Sequence, residues 1–319
     1  MAVGETALEA WSGFRESALL AVLVSPISRA VHLDSMEATT ADGAPPPTKQ
    51  LRVVSVLPSA TEMLCFIGGG HLLVGRSHED NYPVSITHLP VVTGQLTSFT
   101  TAVDVDKQVS SALSTGQSLY TIDEQLLTTL KPDVILTQDI CAVCAIDLQT
   151  VQRLAARMSP QPRVVSLNPL SLGDVLDNLL QVGEAVGMER EAQAARAGLE
   201  ARLRRADELV ATSQAAAAAA AAAAAKPASA AAEGVVAAGE AARPCVAFIE
   251  WPDPLYVGGH WTPQLIERAG GAHPLNPARP EGAAKSFAVT AEAMIATVRP
   301  AVLAPQPKPS PSPSPSPSP

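Results

Sequence analysis

Aromatic side chains are scarce in this sequence: Phe, Trp and Tyr make up 3% of 319 residues, although hydrophobic residues reach 47%. Alanine inflates that apolar content, so each aromatic outside a core pattern is worth locating, and Trp251 and Trp261 fall in one short segment. Runs of Lys or Arg are absent too, and the formal net charge is -9. Without a basic face the chain has no footprint for nucleic acid or anionic membrane, which leaves a small molecule or another protein as the expected partner. No stretch approaches the ~18 apolar residues of a membrane span. The run Ala18 to Val24 is far shorter, and Glu5, Glu9 and Glu16 around it do not suit a basic, acid-poor signal or transit element. The four cysteines are too few for a disulfide scaffold. Cys65 and Cys245 lie in apolar runs and read as small buried hydrophobes.

Composition divides the chain into six parts. Residues 1–50, ending in Asp42-Gly43-Ala44-Pro45-Pro46-Pro47, read as leader and linker, and 305–319, a Pro/Ser tail, as an extended disordered segment. Between them lie an α/β lobe over 51–170, linking helices over 171–214, an alanine-rich insertion over 215–242 and a partial second α/β lobe over 243–304.

In the first lobe, strand Arg52–Leu57 leads through Pro58 to Ser59-Ala60-Thr61-Glu62, a capping-box sequence, and Gly68-Gly69-Gly70 closes that helix. Strand Leu72–Arg76, a helix capped at Thr121 to Glu124, strand Asp133–Thr137, helix Val151–Met158 and strand Arg163–Leu167 continue the alternation. Such alternation predicts a mainly parallel sheet covered on both faces. Ser171 opens a helix, and a charged one follows from Met188 to about Ala211, long enough to bridge two lobes. The second lobe begins with strand Pro244–Glu250, continues with helices at Thr262-Pro263 and Thr290–Val298, and reaches a strand at Pro300–Ala304.

Three polar loops follow three strands: His78-Glu79-Asp80-Asn81-Tyr82; Gln138-Asp139-Ile140-Cys141 with Cys144; and Glu250-Trp251 through Gly258-Gly259-His260-Trp261. Ligands of open α/β sheets bind where strands give way to loops at their carboxyl ends, so facing lobes would make one cleft of these loops. Ser59 adds a hydroxyl at a helix start, and Gly259 permits close backbone approach. The Cys141-x-x-Cys144 pair reads three ways: a thiol redox pair, two thiolates of a metal site completed by His260, or ordinary thiols beside a helix. No arrangement of nucleophile, base and orienter is legible, so the chain reads as no enzyme.

Taken together, Arg52-Val53-Val54-Ser55-Val56-Leu57-Pro58-Ser59-Ala60-Thr61-Glu62, Val74-Gly75 with His78-Glu79 and Tyr82-Pro83, Leu130-Lys131-Pro132-Asp133, Thr137-Gln138 with Cys141 and Cys144, and Gly258-Gly259-His260-Trp261 resemble a known family. It is the cobalamin and ferric-siderophore class of periplasmic substrate-binding proteins, in its cobalamin-binding-like branch. The resemblance spans about Arg52 to Ala304 and implies two Rossmann-like α/β lobes joined by a long helix, with the second lobe incomplete. It implies a monomer that binds cobalamin, or alternatively haem or a ferric siderophore, between its lobes and hands it to an ABC importer. The ligand-facing positions it implies are His78, Glu79, Tyr82, Gln138, Cys141, Cys144, Glu250, Trp251, His260 and Trp261. Asp80-Asn81 departs from the family's Cys-Asp at those positions, and Pro-Ser repeats replace its last strands and helices. The repeats and the leader suit an intracellular or organellar relative as well as a periplasmic protein, and a degenerate, non-binding remnant is the further alternative.

Overall fold

The computed structural model describes residues 50–139, 146, 148–224 and 243–298. Its first lobe is built on β1 (Val53–Ser55), β2 (Leu73–Gly75), β5 (Val134–Thr137) and β6 (Arg163–Ser166), which form one parallel sheet in the order β2-β1-β5-β6. A separate antiparallel pair, β3 (Thr93–Gln95) and β4 (Tyr120–Ile122), lies beyond β2. Helices α1 (Pro58–Phe66), α2 (Ala102–Thr115), α3 (Glu124–Leu130) and α4 (Leu148–Ala156) complete the lobe.

Both faces of the sheet are covered, and the alternation of side chains along each strand explains how. Val53, Val134 and Leu136 join one core with Leu57, Met63 and Leu64, whereas Val54 and Ile135 join another with Leu127, Val151 and Leu154. The predicted parallel sheet is therefore present.

Two local expectations at helix starts met different outcomes. The capping box at Ser59 to Glu62 does not form, because the helix begins earlier: Leu57 is the N-cap and Pro58 occupies the first turn, where a missing N–H costs nothing. Asp123 does cap α3, accepting from the Leu126 N–H at 2.8 Å. Helix α2 was not foreseen. Thr101 accepts from the Asp104 N–H at its start, but no residue of α2 is buried, so it lacks the apolar stripe by which helices are read from sequence.

Helix α5 (Leu172–Val186) starts with a complete capping box between Ser171 and Asp174. A left-handed Gly187 then turns the chain into α6 (Glu189–Ala224), which packs back on α5. The predicted end near Ala211 is overrun. Alanine has the highest helix propensity, so the tract read as an insertion continues α6 to 36 residues, about 54 Å, with residues 211–223 exposed.

The second lobe consists of β7 (Ile249–Pro252), β8 (Leu255–Val257), α7 (Thr262–Arg268), β9 (Phe287–Ala288) and α8 (Ala291–Val298). Its three-stranded sheet is antiparallel, and the strand predicted from Pro244 contributes only a parallel bridge at Cys245 to Ala272 before β7 begins. The reason is the connection: β7 and β8 are joined by a turn at Asp253-Pro254, and a parallel pair needs a long crossover. Cys245 is consequently exposed, against the expectation of burial. Val257 is the one buried hydrophobic residue described in this lobe, while Phe248, Phe287 and Ile295 stay exposed among the described residues. The strand predicted at Pro300–Ala304 lies outside the described residues.

The second lobe meets the helical pair through α7. Gln264 accepts from the Leu172 N–H at 2.6 Å, Arg268 pairs with Asp207 of α6 at 2.9 Å, and Trp261 and Leu265 pack against the core that α5 and α6 share with the first lobe. No helix among the described residues is long and apolar enough to cross a membrane.

Candidate ligand-binding site

The carboxyl ends of β1, β2 and β5 carry the first lobe's predicted residues. After β2, Arg76 staples the loop by donating to the carbonyls of Ser77 at 3.1 Å, Asp80 at 3.0 Å and Thr87 at 2.9 Å. That clamp holds His78, Glu79 and Tyr82 in place. The His78 backbone N–H donates to Thr93 Oγ1 at 3.0 Å, and its Nδ1 lies 2.7 Å from the same oxygen. The same Thr93 hydroxyl lies 3.1 Å from Ser77 Oγ, which links His78, Thr93 and Ser77 in one polar chain. Burial lowers the His78 pKa, so the ring is neutral near pH 7, the form that ligates metals. Its Nε2 is buried and has no hydrogen-bond partner among the described residues. Tyr120 lies beside the ring, centroids 5.8 Å apart. Glu79 is half-buried, and Tyr82 is 53% exposed.

Gln138 sits directly after β5. It is buried, and neither its Nε2 nor the Thr137 hydroxyl beside it finds a partner among the described residues. Asp139 N–H donates to Asn168 Oδ1 at 2.6 Å, joining the exits of β5 and β6. Ser59 is half-buried in the first turn of α1. Cys141 and Cys144 lie outside the described residues. No group of three His, Cys, Asp or Glu side chains among the described residues can hold a metal.

Asp80 was not foreseen as a structural residue. Its carboxylate accepts from the Thr61 hydroxyl at 2.6 Å and the Ser77 N–H at 3.1 Å, tying the β2 loop to α1. Its polar place in the loop was the only signal, since the tie needs α1 folded alongside. Burial raises the Asp80 pKa to about 7, with Thr61, Ser77 and Arg76 pulling the other way. Because the folded value lies above the unfolded one, the native state holds the proton longer, and this contribution to stability is lost as pH rises from about 4 to about 7. Asp80→Asn retains the two acceptor contacts without the charge. We expect the variant to lose less stability than the parent between pH 5 and pH 8, by on the order of 2 kcal/mol, measured by urea unfolding at both values.

Cys65 is half-buried, and its thiol is raised to about 11 by burial first and then by the negative Asp80 and Glu62. Such a thiol holds about 100-fold less thiolate than one at the ordinary value. Alkylation at pH 8, mapped by mass spectrometry, should therefore mark Cys245 long before Cys65.

The second lobe groups its own predicted residues between β7 and α7. Glu250 accepts from the Gly259 N–H at 3.2 Å, and the Trp251 indole donates to the Asp253 carbonyl at 2.9 Å. His260 takes a left-handed φ of 52°, and its ring centroid is 5.8 Å from that of Trp261. Burial lowers its pKa despite the nearby Glu250. Gly259 faces the chain's own backbone: a Cβ there would stand 2.5 Å from both the Ala284 oxygen and the Ser286 nitrogen. Asn276, also unforeseen, donates to the Gly258 and Ala284 carbonyls at 3.1 and 2.9 Å and closes this unit. The predicted residues thus assemble as one first-lobe group and one second-lobe group, with Trp261 packed on the core that the first lobe shares with α5 and α6.

No family model and no curated protein matches the chain. Among solved structures it is similar to the periplasmic heme-binding protein RhuT from Roseiflexus sp. RS-1 in apo form, with 19% identity, 79% of this chain and 74% of that one covered, and a TM-score of 0.51. A periplasmic heme-binding protein from Pseudomonas aeruginosa gives 19%, 78%, 69% and 0.51. The periplasmic vitamin B12 binding protein BtuF of Vibrio cholerae gives 16%, 77%, 72% and 0.49.

Proposed function

We propose that this chain, which has the two-lobed, helix-joined fold of periplasmic heme-binding proteins, is a non-enzymatic binder of a metal tetrapyrrole, a corrinoid or haem, serving its transport. The observation that carries the proposal is the set of buried polar atoms without a partner among the described residues, His78 Nε2, Thr137 Oγ1 and Gln138 Nε2, at the carboxyl ends of β2 and β5. Buried polar groups are ordinarily satisfied, and a group left open at a sheet's carboxyl end suits a ligand that completes it. Tyr82 and the second-lobe aromatics Trp251 and Trp261 supply flat apolar surface for a macrocycle.

The metal in this reading belongs to the ligand. A corrinoid or haem brings its own ion, so the protein needs orienting donors and apolar walls, with at most an axial donor from His78 or Tyr82. By the same reading the partner is an ABC importer and the place of work is the periplasm or its equivalent.

Titrating the full chain with hemin and, separately, with aquocobalamin tests the proposal. One of the two should give a saturable shift of its visible absorbance at one equivalent, and Gln138→Ala with Tyr82→Phe should weaken it about tenfold, the loss of roughly one charge-assisted or well-buried hydrogen bond. A chain that unfolds cooperatively yet shifts neither spectrum at near-millimolar ligand would sink the reading.

A further inference from the structure

A cavity of about 550 Å³ opens where the helical pair meets the second lobe, and none of the loop residues described above lines it. Its floor is apolar: Leu172 and Leu176 of α5 and Leu203 of α6, each buried. Its rim is cationic. Arg268 is already paired with Asp207, but Arg243 makes only a 3.2 Å donation to the Glu267 carbonyl, and the Arg279 side chain makes no hydrogen bond or ion pair among the described residues. Glu267 also lines the space, so three arginines stand with two acidic residues around it.

The rim is held in place from two sides. Gln264 donates to the carbonyls of Arg279 at 2.6 Å and Pro280 at 3.2 Å while accepting from Leu172 N–H, which ties the 279–280 turn to the start of α5. Gly282, at φ 97°, seats the same turn against the Leu170 carbonyl. The volume falls within the ~300–1,000 Å³ typical of small-molecule sites.

We propose that this cavity is a second binding site, for a small amphipathic carboxylate whose acidic head lies between Arg243 and Arg279 and whose apolar body covers the leucine floor. An inorganic anion would leave three leucines uncovered, and a neutral hydrocarbon would bring two guanidinium groups no counter-charge. Because α5 and α6 supply the floor and the second lobe supplies the rim, an occupant also ties the second lobe to the helical pair, so binding stabilises that docking. The site is independent of the tetrapyrrole reading.

Calorimetry on the full chain with octanoate tests it, with octanol and inorganic phosphate as comparisons. The expected result is saturable binding of one octanoate, no saturable heat from octanol or phosphate at the same concentrations, and at least tenfold weaker octanoate binding in Arg243→Gln/Arg279→Gln. Arg279→Gln alone, at an exposed side chain with no described bond to lose, should weaken binding in the same direction and keeps the test separate from folding. Octanol binding equal to octanoate, saturable binding of phosphate, unchanged octanoate affinity in both variants, or no octanoate binding at all would each overturn the proposal.

Discussion

Replacing Gly282 with valine should free the second lobe from the helical pair while leaving the first lobe folded. Gly282 sits at φ 97°, where a β-branched residue is strained, and a Cβ there would overlap the Leu170 carbonyl oxygen. The neighbouring backbone has no room to yield, because Ser171 beside it is the N-cap of α5 and the Leu170 and Ser171 N–H groups donate to Asp174 at 2.9 and 2.8 Å. Backbone strain of about 1–3 kcal/mol therefore adds to the overlap. The second lobe has little reserve against it, since Val257 is its one buried hydrophobic described. Two measurements report the outcome. Limited proteolysis should cut the variant soon after Arg243 while residues 51–210 survive, and tryptophan emission should move red as Trp261 leaves the core that α5 and α6 share with the first lobe. If cleavage and emission match the parent, the Gly282 contact does not hold the second lobe to the helical pair.

Leu136→Ala should cost the first lobe about 2–5 kcal/mol, the range for truncating a fully buried leucine. Leu136 is 0% exposed in β5, a central strand with β1 on one side and β6 on the other, and it belongs to the core shared with α1 and α5. Flanking strands and helices keep the space from collapsing, which puts the loss toward the upper end. Domains are typically stable by about 5–15 kcal/mol, so such a loss removes a large share. Ile135→Val on the opposite face is the natural comparison, at about 0.5–1.5 kcal/mol, because one methylene leaves a far smaller void. Urea midpoints of the two variants should differ in that order. Tetrapyrrole binding should fall with Leu136→Ala as well, since Thr137 and Gln138 directly follow. A loss below about 1 kcal/mol would mean this sheet is not the lobe's core.

The first lobe was legible because its signals are local. Continuous apolar runs such as Val134-Ile135-Leu136 mark buried parallel strands, and Asp123 and Ser171 mark helix starts by side-chain chemistry within a few residues. The α2 helix was hidden because none of its residues is fully buried, which leaves the Thr101 cap and the left-handed Gly116 as its marks. In the second lobe, the Pro244–Glu250 run has the composition of a buried strand, yet Cys245 is exposed among the described residues, because an apolar run is buried only where other segments pack over it.

The candidate site divides along the same line. Which residue types gather at strand ends follows from the order of strands and loops, and His78, Tyr82 and Gln138 could be placed at one end of the sheet on that ground. Their hydrogen bonds could not. That His78 meets Thr93 and that Thr61 binds Asp80 depends on segments 15 and 19 residues away in sequence meeting in space. Gly259 likewise faces Ala284 to Ser286, a contact no local pattern encodes.

Periodicity, caps and turn residues act over one or two turns of chain, so the residues alone were enough for the parallel lobe, the helical linker and the polar loops at strand ends. The antiparallel second sheet, the charge state of Asp80, the docking of Trp261 and the arginine-rimmed cavity arise only when distant segments displace water from one another. Burial and hydrogen-bond geometry are properties of that packing, and tertiary structure alone sets them.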